Sequence, residues 1–357
     1  MGRRRLSAHL PRLTGVHIGL ITSGGDCPGL NAVIRGVVRR AEELDIEVTG
    51  FHDAWKGVMA EDLERHDVER CRGLLPRGGT ILGTSRVTPY QIPEGLGLVR
   101  EAMFRHGIDG FVVIGGNGSL SCAHDLCGDG IPCVGVPKTI DNDIVGTDAS
   151  VGFDTAVHVA TAAIDRLHTT AEAHDRVLLV ELMGRSVGHI AVWAGIAGGA
   201  ALTLIPEIPF DLDEVCAAIG RRHRAGRYAT IVAVAEGAMP VEGGSFDPPT
   251  YEVDRFGHRR LGGIANAMGP EIEHRTGFET RVTVLGHVQR GGTPTAYDRV
   301  LSSRFGVAAA DLVAAGRWGE MVALAGAVVV TVPLAEMAGK VKTVDSALIE
   351  SAQAFFA

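Results

Sequence analysis

Aromatic residues make up only 5% of the 357-residue chain, too few for a sandwich built on aromatic packing. Cysteine is scarce as well. The six present, at 27, 71, 122, 127, 133 and 216, include no C-x-x-C pair and no zinc-like spacing, even at the close pair Cys122 and Cys127. Reduced thiols in a cytoplasmic protein are the reading. Positive charge is in deficit: 34 Lys and Arg stand against 42 Asp and Glu, a net −8, which argues against nucleic acid as a partner. Long apolar runs are absent too. The longest stretch, Val322–Leu334, contains Pro333 and is too short to cross a bilayer, so no membrane partner is expected. Arg3, Arg4 and Arg5 near the start are followed by no apolar segment of the secretory kind.

What is present is an ordinary globular composition, 46% hydrophobic and 21% charged, with 48 glycines. At roughly 150 residues per domain the length suggests two domains. One pattern recurs along the chain: a short apolar run, then glycine or charged residues, then an amphipathic stretch. Val16–Thr22, Gly110–Ile114, Cys133–Val136, Val177–Leu182, Ile231–Ala235 and Val282–Leu285 are continuous apolar runs of the kind buried on both faces of a parallel sheet. Asn31–Leu44, Glu94–His106 and Phe153–Thr170 read as helices between them. The fold class expected is α/β, with more than one doubly wound, mainly parallel sheet. Ligands of such sheets bind at the carboxyl ends of strands, and the unusual residues of this chain are expected along such rims. The segment 239–260, rich in Gly and Pro, reads as an exposed insertion.

Four constellations carry chemistry. Ser23-Gly24-Gly25-Asp26-Cys27-Pro28-Gly29 and Gly115-Gly116-Asn117-Gly118-Ser119 are glycine-rich strand-to-helix loops, each either a tight turn or a place where backbone N–H groups approach phosphate. Neither is G-x-G-x-x-G or G-x-x-x-x-G-K-[ST], so dinucleotide and P-loop binding are not indicated. Two such loops favour a polyphosphate. Lys138-Thr139-Ile140-Asp141-Asn142-Asp143 sets two carboxylates just past a buried strand, where one can take a proton from a hydroxyl and the other help hold Mg²⁺ or an arginine. Arg176, Arg185, Arg281, His287 and Arg290 lie at the edges of apolar runs, and guanidinium forks match phosphate oxygens. Together these residues suggest an enzyme for a phosphorylated small molecule and a phosphoryl donor.

SGGDCPGLNAVIRGVVR, GGNGS, PKTIDND, MGR and TVLGHVQRGGTP, in this order over about residues 16–357, resemble the 6-phosphofructokinases of the A type. The 239–260 insertion and the ending Val341-Lys342-Thr343-Val344-Asp345 resemble the actinobacterial branch, a mixed group of ATP and pyrophosphate users. The resemblance implies two doubly wound domains with the active site in the cleft between them. Residues 1–15 would be an extension, 16–152 with about 289–340 the larger donor-binding domain, and 153–288 with about 341–357 the smaller sugar-phosphate domain. It implies Asp141 as the base toward the sugar 1-hydroxyl, with Thr139 and Asp143 beside it, and Arg185 as the group that stabilises the transferring phosphoryl. Gly24, Gly25, Asp26, Arg86, Gly116, Asn117, Gly118, Ser119 and Lys138 would line the donor, with Trp55 over its adenine. Met183, Gly184, Glu236 and Arg290 would contact the acceptor sugar. Arg176, Arg281 and His287 would grip the 6-phosphate, the two arginines reaching in from a neighbouring subunit, which implies a homotetramer or a dimer.

The implied activity is transfer from ATP, with Mg²⁺, to fructose 6-phosphate. Three departures from the family pattern qualify it. Asn117 stands where the family has an acid that coordinates Mg²⁺, leaving a weak neutral ligand beside Asp141. Gly118 resembles ATP users, whereas Lys138 resembles pyrophosphate users. Of the family's effector-site residues, Arg35 and Arg39 remain, but His168 and Ala201 replace an arginine and a glutamate, so little allosteric control is expected. Two other readings stay open: changed chemistry on the same fold (pyrophosphate as donor, another ketose 6-phosphate such as an epimer, or diphosphoryl transfer with release of AMP), and a non-catalytic subunit that binds sugar phosphate.

Overall fold

The computed structural model describes residues 4–5, 15–247 and 262–354. The remainder of the 1–15 extension and the part of the insertion beyond Asp247 lie outside the described residues. In chain order the described strands are β1 (Arg4–Arg5), β2 (His17–Ser23), β3 (Glu47–Phe51), β4 (Leu63–Arg65), β5 (Gly110–Gly115), β6 (Cys133–Pro137), β7 (Val177–Leu182), β8 (Leu202–Leu204), β9 (Thr230–Ala235), β10 (Thr280–Val284), β11 (Glu320–Ala325) and β12 (Val328–Pro333). The chain divides into two compact units, Met1–Thr155 with Arg290–Val341, and Ala156–Gln289 with Lys342–Ala357.

The first unit is built on an eight-stranded sheet in the order β1-β12-β11-β6-β5-β2-β3-β4. Its centre, β11-β6-β5-β2-β3, is parallel, and every residue of β5 and β6 is buried. That burial is why those segments read as unbroken apolar runs. The run Val322–Leu334 becomes most of an antiparallel hairpin, β11 with β12, toward the sheet's edge. The helix Leu30–Glu43 follows β2 and buries Leu30, Val33, Ile34, Val37, Val38 and Ala41, a stripe at helical spacing. It packs on the helix Ala296–Ala314 at a crossing that only glycine permits: a Cβ on Gly36 would lie 2.8 Å from the Ser303 carbonyl, and one on Gly306 2.5 Å from that of Val33. Phe51, Trp55, Phe111, Val113, Leu120 and Leu126 form the core on one face.

The second unit is a four-stranded, wholly parallel sheet in the order β10-β7-β9-β8. Its core gathers Val177, Leu179, Val232 and Val234 against Leu212, Val215, Ile264 and Met268 from flanking helices. Glu181, the one charged residue in β7, is only 2% exposed. Its carboxylate accepts from the Gly263 N–H at 2.7 Å and the Ala265 N–H at 3.0 Å, satisfying the first turn of the helix Ile264–Thr276. Among the described residues no helix is long and apolar enough to cross a membrane.

Candidate active site

Strands β6, β5 and β2 are neighbours in the first unit, in register Ser23 with Gly115 and Gly115 with Pro137, so their three carboxyl-terminal loops emerge side by side. The loops are knitted together. Ser119 Oγ lies 3.0 Å from Ser23 Oγ, and the Lys138 N–H donates to the Gly115 carbonyl at 2.9 Å. A fourth segment, 83–86, closes the group: Gly24 N–H donates to Ser85 O at 3.0 Å, and Thr84 Oγ1 to Gly24 O at 2.6 Å. Gly24, Gly25, Asp26, Arg86, Gly116, Asn117, Gly118, Ser119 and Lys138 thus share one rim. Of the residues that hold the rim, Ser23 opens the first glycine-rich loop, whereas Thr84 and Ser85 carry no motif signal.

Lys138 is 2% exposed. Its ammonium donates to the carbonyls of Ser23 (3.0 Å) and Gly25. Burial pushes its pKa below the usual lysine value, and the cations of Arg290 and Arg86 push the same way. Arg290 meets the same loop from another direction: Nη1 donates to Asp26 O at 3.1 Å, and a Cβ added to Gly25 would sit 2.8 Å from that nitrogen. Gly25 is therefore a position where any side chain displaces Arg290. Gly118 is the opposite case, since a Cβ there would meet nothing within 4 Å.

Beyond β6, Thr139 Oγ1 accepts from the Asp141 N–H at 3.1 Å. Asn142, in a left-handed conformation at φ 52°, accepts from the Ser150 N–H at 3.1 Å and donates to Asp148 O at 3.2 Å. The turn is thereby fixed and presents Asp141 and Asp143, both partly exposed, from one short segment. The Asn117 side-chain amide nitrogen donates to the Lys340 carbonyl.

Two expectations change. Trp55 does not cover a donor base: it is fully buried, 5.1 Å from Phe111 in an edge-on contact within the core. Its position after β3 faces inward because the pattern Phe51, Trp55, Val58 lies on one buried side. The strand-end cations of the second unit also do not share one rim. Met183, Gly184 and Arg185 follow β7, Glu236 follows β9, and His287 follows β10, all at carboxyl ends. These are tied together by Glu236 N–H to Leu182 O (2.8 Å), Gly237 N–H to Gly184 O (3.2 Å) and Leu285 N–H to Glu181 O (3.0 Å). Arg176 precedes β7 and Arg281 is the second residue of β10, at the amino ends. At about 3.3 Å per residue the two rims are roughly 17 Å apart, so His287 and the arginine pair cannot belong to one cluster within a chain. Of the effector-type residues, the His168 ring is engaged with Gly198 O at 2.6 Å and Ala201 is buried.

A family model described as phosphofructokinase matches residues 17–313. A pyrophosphate–fructose 6-phosphate 1-phosphotransferase of Streptomyces coelicolor is 52% identical over 341 residues, 95% of this chain and 99% of the relative. An ATP-dependent 6-phosphofructokinase of Corynebacterium efficiens is 50% identical over 343 residues, 96% of this chain and 99% of the relative. Among solved structures, the Pichia pastoris phosphofructokinase in the T-state superimposes with a TM-score of 0.80 at 32% identity. That match covers 90% of this chain, which spans about a third (35%) of the length of the Pichia chain.

Proposed function

The chain belongs to the phosphofructokinase family, and from that premise we propose that it transfers the terminal phosphoryl group of ATP to the 1-hydroxyl of fructose 6-phosphate. The observation that carries the reading is the convergence of three loops at the carboxyl ends of β2, β5 and β6 around the buried ammonium of Lys138. Backbone N–H groups of Gly-rich loops and a fixed cation form a surface for a polyphosphate.

In this reading Asp141 accepts the proton of the 1-hydroxyl as its oxygen attacks the terminal phosphorus, and ADP leaves. Arg185 stabilises the charge that spreads over the equatorial oxygens of the transferring group. Met183, Gly184, Glu236 and Arg290 orient the sugar, while Thr139 and Asp143 support Asp141. Among the described residues no three His, Cys, Asp or Glu side chains are grouped to hold a metal ion. Mg²⁺ would come with the donor, where Asp141 and, as a weaker neutral ligand, Asn117 would be the residues to hold it, and it would neutralise charge on the donor phosphates.

The site also calls for a second copy. Arg176 and Arg281 at the amino rim cannot reach a sugar held at the carboxyl rim of the same unit, which supports an assembly in which a neighbouring subunit supplies them to the 6-phosphate. A cytoplasmic homotetramer is the form proposed, with a dimer as the minimal unit.

Pyrophosphate is the second reading for the donor. It is favoured by Lys138, whose buried ammonium lies on the donor loop. Mass spectrometry of the product after incubation with Mg²⁺, fructose 6-phosphate and either donor decides between them. One added phosphate with release of ADP is the result expected. Turnover with pyrophosphate alone would transfer the assignment to that donor, and AMP release or reaction only with another ketose phosphate would overturn it.

A further inference from the structure

Parallel pairing of β7 with β10 sets Thr280 opposite Val177, which brings Glu279 abreast of Arg176 just before both strands begin. Arg281 lies two residues beyond Glu279 and returns to the same side of the sheet. One carboxylate oxygen serves both cations: Glu279 Oε1 accepts from Arg176 Nη2 at 2.8 Å and from Arg281 Nη2. A second carboxylate stands behind them, with Glu273 Oε2 at 3.6 Å from Arg281 Nη1 and accepting the Thr280 N–H at 3.0 Å. Two guanidiniums and two carboxylates sum to zero charge. Beside them opens a depression of about 560 Å³ lined by Asn266, Glu273, His274, Thr280 and Arg281.

A pair of arginines meant only to attract a phosphate dianion gains nothing from being neutralised within its own chain. We propose that Glu279 is a built-in competitor for the 6-phosphate, occupying the converging N–H donors of Arg176 and Arg281 and thereby setting how weakly the grip holds a sugar phosphate. The inference rests on the reading above, in which these two arginines hold the 6-phosphate. In the absence of sugar phosphate Glu279 keeps two like charges together and at a defined spacing. When the phosphate binds, its oxygens displace the carboxylate from at least one guanidinium, and the carboxylate remains close enough to repel the dianion. The hydrogen bond from Arg176 holds the Glu279 carboxyl below the usual carboxylate range, so the competitor stays charged throughout the neutral region. Glu279 carries no motif signal; only the register of β7 against β10 places it between the arginines.

The test is calorimetric titration of the intact protein with fructose 6-phosphate, without a donor, so that binding is read apart from turnover. Glu279→Gln removes the charge and keeps the shape; it is expected to lower Kd about threefold to tenfold and to steepen its dependence on salt, because the remaining charges sum to +1. Glu279→Asp, which keeps the charge, is expected to stay within about twofold of the parent protein. Arg281→Ala is the control for the underlying reading and is expected to raise Kd by at least about tenfold. If Arg281→Ala raises Kd while Glu279→Gln leaves it unchanged or raises it, Glu279 is a scaffold that only orients the arginines and the proposal fails alone. If Arg281→Ala leaves Kd unchanged, the arginine grip itself fails and the proposal with it.

Discussion

The ammonium of Lys138, at the end of β6, donates to the main-chain carbonyl of Ser23, at the end of β2, at 3.0 Å, although β5 runs between the two strands. A single buried side chain thereby spans three strands and fixes the level at which their loops meet. Replacing it by an apolar residue of similar length removes both the cation and the donor to Ser23 and Gly25. Lys138→Met is expected to lower kcat/KM for the donor about tenfold to a hundredfold. The pH dependence has a defined sign. Burial holds the folded-state pKa below the usual 10.5, so between the two values the unfolded chain binds more protons and stability rises with pH. Denaturant unfolding through the alkaline window should show that rise in the parent protein and not in Lys138→Met; equal slopes would mean that the ammonium is not the titrating group.

At Gly118 there is room for a side chain, since a Cβ meets nothing within 4 Å. Gly118→Asp should therefore fold normally and act only on the donor, by placing a carboxylate beside its phosphates. The expected outcome is a fall of at least about tenfold in kcat/KM with ATP, with pyrophosphate affected less. Parallel assays of ADP and orthophosphate release check it, and an unchanged ATP rate would remove Gly118 from the donor pocket.

Asp141→Asn should lower kcat by about 10²–10⁴, the range for loss of a positioned base, with little change in the KM for either substrate. A sharper test joins this variant with Arg281→Ala. If the 6-phosphate is gripped by a neighbouring subunit, co-assembled Asp141→Asn and Arg281→Ala chains contain sites in which both residues are native. Mixing and reassembling the two proteins should restore activity at low fructose 6-phosphate that neither has alone. Absence of complementation in a verified hybrid would place both residues in one subunit's site.

Trp55 is a core residue here, packed on Phe111 and fully buried. Trp55→Ala should destabilise the protein by about 3–5 kcal/mol in urea unfolding while leaving the KM for ATP within about twofold. A raised KM for ATP without loss of stability would return this side chain to the donor site.

Much was legible in the sequence because local chemistry determined it. The apolar runs ending at Thr22, Ile114 and Val136 read as buried parallel strands, and the glycine-rich and acidic segments after them were visible as candidate phosphate and carboxylate positions. The motif order also identified the family without any contact information. Tertiary structure decided the rest. Trp55 looked available because an aromatic beside a loop can face either way; packing against Phe111 turned it inward. Arg176 and Arg281 looked like members of the same strand-end cluster as Arg185 and His287. The direction of β7 and β10 separates them by a full strand length, and which end of a strand a residue occupies matters only once the strands are aligned. Glu279 shows the same limit most plainly: its pairing with Arg176 spans more than a hundred residues of chain and exists only because the register of two parallel strands sets them side by side.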